Sequence, residues 1–175
     1  WLDWRANFFA MLVAASAVGL AALILLRETN QHRSQHLRIA PIVEAYRAVL
    51  RTPAWHAYTW PLVCSNAAVF SYLSGGAFVL IGMLGIEPVE LGLCYSLIII
   101  GYVLGTLVCR QTLPRWGMQR AMIVGACQLV LASTLLAALA LAGTRHWSAI
   151  VLPHFLFMIG HGQIHPIAMA GSVAR

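Results

Sequence analysis

Arg110-Gln-Thr-Leu-Pro-Arg-Trp-Gly-Met-Gln-Arg120 lies between two runs without a charged residue, 91–109 and 122–142. An uncharged run of about twenty residues is long enough to cross a bilayer. Pro114 and Gly117 in so short a connector force the chain to reverse, so the spacing predicts a membrane hairpin with a basic tip. Arginine-rich loops stay on the cytoplasmic side, so Arg110, Arg115 and Arg120 put that tip inside the cell. The direction of every other span follows.

Downstream, residues 122–142 run outward, Gly143-Thr-Arg-His146 turns the chain, and 147–173 return inward with Pro153 and Pro166 inside the run. Upstream, 91–109 begin at an outer acidic turn holding Glu87, Pro88 and Glu90, and 58–81 leave their span through Ser74-Gly75-Gly76. Residues 8–26 form the first span, with Trp1 and Trp4 suited to the headgroup level. On this path nine of the eleven arginines are inside and two, Arg5 and Arg145, are outside. The expected fold class is all-α, a polytopic membrane helical bundle of five transmembrane helices. Residues 27–57 are a cytoplasmic linker in which Ile39, Ile42, Val43, Tyr46, Val49 and Leu50 follow one helical face, away from Arg38, Glu44, Arg47 and Arg51. That pattern reads as a basic amphipathic helix on the membrane surface.

Composition agrees. The chain of 175 residues is 61% hydrophobic and 9% charged, with a mean hydropathy of +0.80, outside the range of ordinary soluble domains. The net charge of +6 comes without a single lysine and its arginines sit in loops, so it reads as membrane topology and not as a nucleic-acid surface. Cys64, Cys94, Cys109 and Cys127 contain no Cys-x-x-Cys pair and read as small apolar fillers.

Polar side chains inside a bilayer are costly and either bond neighbouring helices or face an aqueous cavity. No Asp, Glu, Lys or Arg lies within an expected span. Ser65, Val69, Tyr72 and Gly76 share one helical face with Asn66 beside it, while His154, Met158, His161 and His165 fall within about 60° on a wheel. The histidine stripe has three readings: a proton or cation path, a shared metal, or imidazoles bonded to carbonyls freed by Pro153 and Pro166. A di-iron oxidase with boxes His32-x-x-x-His36 and His161-x-x-x-His165 fails on geometry, because the first pair lies in the linker and the second near mid-span. A non-transporting receptor or structural protein is the other alternative. Neither metal nor catalytic residues are expected.

Five stretches resemble the major facilitator superfamily, and within it the Bcr/CflA-type drug-resistance proton antiporters. Trp4-Arg-Ala-Asn-Phe8 with Arg27-Glu28-Thr29 is similar to the ends of that family's helix six, and Tyr46-Arg-Ala-Val-Leu-Arg51 to the segment before helix seven. Phe70-Ser-Tyr-Leu-Ser-Gly-Gly-Ala-Phe-Val-Leu80 resembles the helix-seven run, with Gly76 and Ala77 in place of its Ser-Pro. Gly105 followed by Arg115-Trp-Gly-x-x-Arg120 resembles the degenerate second copy of the gate-loop motif, with Pro114 where the first copy has aspartate. Gly160-His-Gly-Gln-Ile-His-Pro166 resembles the helix-ten motif, with Ile167 in place of asparagine.

The resemblance implies a partial major facilitator fold from helix six to most of helix ten. Residues 1–26 would end the amino-terminal half-bundle, 27–57 link the halves, and 58–175 supply four helices of the second half. It implies a multi-pass protein of the bacterial inner membrane that exports drugs or small amphipathic metabolites by alternating access. The proton gradient would drive it without a cofactor, using acids in an amino-terminal half-bundle outside this sequence. The implied partners are the lipid bilayer, that half-bundle, the remaining helices and a small-molecule substrate, with no nucleic acid. Asn66, Tyr72, Ser74, His161 and His165 become candidates for the substrate cavity, and Gly105, Arg115, Gly117 and Arg120 for the gate loop.

Overall fold

The computed structural model describes residues 4–26 and 39–173. The chain divides into two compact units, residues 1–42 and 43–175, which are taken separately. In the first unit α1 spans Trp4–Leu25. It carries no charge after Arg5, and its side chains are exposed all round, Leu23 at 83%. A helix apolar on every face suits lipid, and its 22 residues reach about 33 Å, one bilayer core. Arg27-Glu28-Thr29, His32, His36, Arg38 and Arg175 lie outside the described residues.

Helix α2, Ile39–Leu50, has no buried residue, and Ile39, Val43 and Tyr46 are exposed along its apolar face. It stops where His56 Nε2 donates to the Leu50 carbonyl at 2.7 Å. Thr52 takes an extended conformation and Pro53 opens α3, Pro53–Ala77, so the span begins at Pro53 and not at Tyr58. Pro at the first helical position costs no hydrogen bond, because that N–H has no partner in any helix.

The chain does not leave its span at Ser74-Gly75-Gly76 as the sequence suggests: α3 runs through them and passes into a π-helix at Phe78–Met83. The widened turn shows in Leu84 N–H donating to the Val79 carbonyl at 3.0 Å. Gly85 then leaves the helix at φ 69°. Glu87 caps α4, Pro88–Leu141: its side chain accepts from the third helical N–H, and its own N–H donates to Glu90 Oε2 at 3.1 Å. This reciprocal box satisfies two of the helix's orphan donors.

At 54 residues α4 would be about 81 Å if straight, far beyond one bilayer. It is two arms, 88–116 and 118–141, joined at Gly117 with φ 74° and ψ 168°. Reversal is visible in the core: Cys109 and Ala121 share one buried cluster, while Ile98 and Ala132 share another farther from the tip. The expected basic loop is therefore almost all helix, and one glycine turns the chain.

Helix α5, Ser148–Val173, packs against both arms and along α3. Among the described residues three other helices are long and apolar enough to cross a membrane, Arg5–Leu25, Pro53–Met83 and Pro88–Leu141. Helix α5 carries three histidines and Gln163, yet it holds most of the fully buried side chains, Val151 and Ile164 among them at 0% exposure. Its two motif glycines explain the seating. Positions two apart on a helix face about 200° apart, so Gly160 meets one arm and Gly162 the other. A Cβ on Gly162 would stand 3.1 Å from Gly105 Cα, and one on Gly160 would stand 3.0 Å from the Gly125 carbonyl oxygen. The Gly101-x-x-x-Gly105 pair is thus a close-approach stripe of the first arm. Gln163 Nε2 donates to Gln128 Oε1 at 2.9 Å, and Gln128 Nε2 donates to the Leu156 carbonyl at 3.2 Å, tying the second arm to α5. With the second unit all helical and no strand among the described residues, the architecture is the all-α membrane bundle the sequence predicts. Its expected spans correspond to α1, α3, the two arms of α4, and α5.

Candidate functional site

A column of aromatic and imidazole rings runs along α5 where it faces α3 and the first arm of α4. Helical spacing puts His154, His161 and His165 on one face, and Phe157 one turn from His154 joins them. Tyr72 of α3 lies flat against His154, ring centres 3.7 Å apart and planes 14° from parallel. His154 stacks on Phe157 at 5.3 Å and Phe157 on His161 at 6.5 Å. Tyr102 packs on His161 at 5.7 Å and on His165 at 6.2 Å, and Tyr95 meets Tyr72 edge-on at 5.7 Å.

These rings are buried without hydrogen-bond partners at several polar atoms: Tyr72 Oη, Tyr95 Oη, His154 Nε2 and His161 Nδ1. His154 is 4% exposed and His161 5%. Such groups are normally bonded, because leaving one unsatisfied costs about 1–3 kcal/mol. The expectation that Pro153 and Pro166 free carbonyls for these imidazoles is not met at His154 Nε2 or His161 Nδ1. Nor do the described residues bring together a group of three His, Cys, Asp or Glu able to hold a metal.

Beside the column, a cavity of about 600 Å³ opens between α3, the second arm of α4 and α5, in the half of the bundle remote from the basic tip. Tyr72, His154 and Phe157 form one wall, and Gly75, Ala132 and Ser133 are among the rest. No charged side chain lines it. This volume is in the range that takes drug-sized molecules, and a mostly apolar wall with a few polar atoms is the usual composition of such sites.

The sequence candidates divide among several places. Tyr72 lines the cavity. Asn66 is half-buried and donates to the Leu62 carbonyl of its own helix at 2.9 Å. Ser74 is exposed and donates to the Ser71 carbonyl at 3.1 Å. His161 and His165 belong to the ring column, farther along α5 than the cavity wall. At the other end, Arg115, Gly117 and Arg120 are exposed at the turn, whereas Gly105 is buried against α5, about 18 Å along the first arm from Gly117. Sequence reasoning passed over Tyr95 and Tyr102. Their i, i+7 spacing on one face of a largely aliphatic span is the signal that could have found them. Of the cysteines, Cys94 and Cys109 are buried in the core and Cys64 and Cys127 are exposed, all unbridged.

Compared with known proteins, the chain matches the family model described as Major Facilitator Superfamily over residues 1–174. No curated protein and no solved structure matches it.

Proposed function

The chain belongs to the major facilitator superfamily, a family of transmembrane transporters, and from that premise we propose that it exports small amphipathic compounds in exchange for protons. The cavity carries this reading: about 600 Å³ with a largely apolar lining, Tyr72 and His154 in its wall, and no charge. An amphipathic molecule gains by leaving water for such a space. Alternating access follows if the second unit rocks against a facing half-bundle. In that arrangement Arg115, Gly117 and Arg120 form the inner gate loop, bonding helix ends or anionic lipid in one access state. The Bcr/CflA likeness supports the export direction, a bacterial inner-membrane location and proton coupling through acids outside this sequence, with no cofactor.

The test is reconstitution of the full-length protein in liposomes with an imposed pH gradient. Export of an uncharged amphipathic arene should follow the gradient and stop when a protonophore collapses it. Export indifferent to the protonophore overturns the coupling, and no export of any amphipathic compound overturns the function.

A further inference from the structure

At the opposite end of the bundle from the cavity, we infer that the start of the second arm of α4 seats one anionic diacyl phospholipid. Its phosphate lies at Arg120 and its two chains lie in grooves on either side of Ile123. Three observations converge. The first is charge. Arg110, Arg115 and Arg120 are exposed at the tip, and the chain has no Asp or Glu anywhere from 92 to 175. Glu90 stands at the far end of the first arm, twenty residues before Arg110, which is about 30 Å along the helix. Glu44 lies on α2, which packs against no part of α4 among the described residues. The positive field of the tip therefore has no internal counter-charge, and basic clusters of this kind at a membrane surface attract anionic headgroups.

The second is shape. One groove of about 320 Å³ is lined by Trp116, Arg120, Ile123 and Val124. Another of about 360 Å³ lies between the first turns of α3 and the second arm, with Ala54, Tyr58, Gln119, Met122 and Ile123 in its walls. Ile123 belongs to both, so it is the ridge from which the two grooves fall away. Two acyl chains joined at one glycerol need two troughs of similar size meeting at one ridge. The third is depth. Arg120 stands four residues nearer the tip than Val124, about 6 Å along the axis, and Gln119 beside it adds an amide. Guanidinium above and apolar floor below come in the order in which a phospholipid presents its phosphate and its chains. Trp116, 45% exposed, borders the same groove, and indoles favour the headgroup level.

The chemistry selects among lipids. A guanidinium meets a phosphodiester with two parallel N–H donors. A zwitterionic headgroup brings an ammonium as well, and with no carboxylate near the tip that ammonium would lie among arginines. The preferred lipid is therefore one with a net negative charge, of the phosphatidylglycerol class. Arg120 is exposed, so replacing it removes the headgroup contact without disturbing the core.

The experiment follows binding of the first lipid to the purified, delipidated full-length protein by native mass spectrometry. The probes are dioleoyl-phosphatidylglycerol, dioleoyl-phosphatidylethanolamine and the single-chain oleoyl-lysophosphatidylglycerol. Wild type should bind the phosphatidylglycerol about tenfold more tightly than the phosphatidylethanolamine, the scale set by one or two arginine charges acting on one headgroup. It should bind the single-chain lipid several-fold more weakly than its two-chain counterpart. Arg120→Gln should erase the headgroup preference. Arg110→Gln removes the same charge outside both grooves and should leave most of that preference in place. Equal binding of the two diacyl lipids by wild type, full preference retained in Arg120→Gln, or equal loss in both variants overturns the site. Single-chain lipid bound as tightly as the diacyl form overturns the seating of two chains. Displacement of the lipid by an equal concentration of glycerol 3-phosphate overturns the assignment to a lipid in favour of a free phosphate. Binding is read without a gradient, so a failed lipid site leaves the transporter reading standing, and failed export in liposomes leaves the lipid site standing.

Discussion

Replacing Gly162 by alanine puts one methyl group where α5 crosses the first arm of α4, the closest helix contact in the second unit. The added carbon would stand 3.0 Å from Thr106 N and 3.1 Å from Gly105 Cα, with the Tyr102 carbonyl oxygen nearer still. All three are backbone atoms, so no side chain can swing aside and the two helices must part. Overpacking costs about 1–3 kcal/mol, and contact with rigid backbone places this case near 3. Alanine returns about 1 kcal/mol as the better helix former, leaving a net loss of about 2 kcal/mol, or roughly thirtyfold in the folding equilibrium. Gly75→Ala is the internal control, because it makes the same chemical change into open space and should be neutral or stabilising by up to about 1 kcal/mol. Reversible unfolding of the full-length protein in mixed micelles by a denaturing detergent reads both. Gly162→Ala as stable as wild type, or no more damaging than Gly75→Ala, would refute the argument that backbone contact at this crossing limits helix approach.

Three further outcomes are expected. Gly117→Val forces a β-branched residue to φ 74° at a cost of about 1–3 kcal/mol, which should slow export with little change in ligand affinity. Abolished binding, or export at the wild-type rate, would contradict the assignment of the turn to gating. Gln128→Leu and Gln163→Leu should each destabilise, and a double-mutant cycle should give a coupling of about 0.6–1.7 kcal/mol, the range for interhelical hydrogen bonds in membranes; additive effects would mean the 2.9 Å contact contributes nothing. Single cysteines at Glu90→Cys and Arg115→Cys, on a background without the native cysteines, should label from outside and from inside respectively, and the reverse pattern would invert the topology.

The hairpin was legible because its signals are local. Uncharged run length, Pro114, Gly117 and the arginines each constrain the chain within one turn of themselves. The glycine stripe at 101 and 105 is a signal of the same local kind, since small residues four apart already define a face. The ring column was only half legible. Histidine spacing on α5 put three imidazoles together, but the rings that cover them come from α3 and α4, and which tyrosine meets which histidine depends on crossing geometry that neither segment encodes alone. Asn66 and Ser74 illustrate the opposite error of sequence reasoning: a polar side chain in a span has its own helix's carbonyl within reach, and both take that local bond. The π-helix at Phe78–Met83 escaped because one extra residue per turn leaves no mark on composition or periodicity.

The burial of α5 also bears on how the protein is made. A segment entering a bilayer by itself is judged on its own apolarity, and each histidine or glutamine near mid-span counts against it. Once the two arms of α4 are in place, the same residues find a glutamine partner and aromatic faces, and Gly160 and Gly162 find grooves of matching depth. The helices synthesised before α5 should therefore help its integration. Their order along the gene brings α5 in after both helices whose rings and glycines cover it.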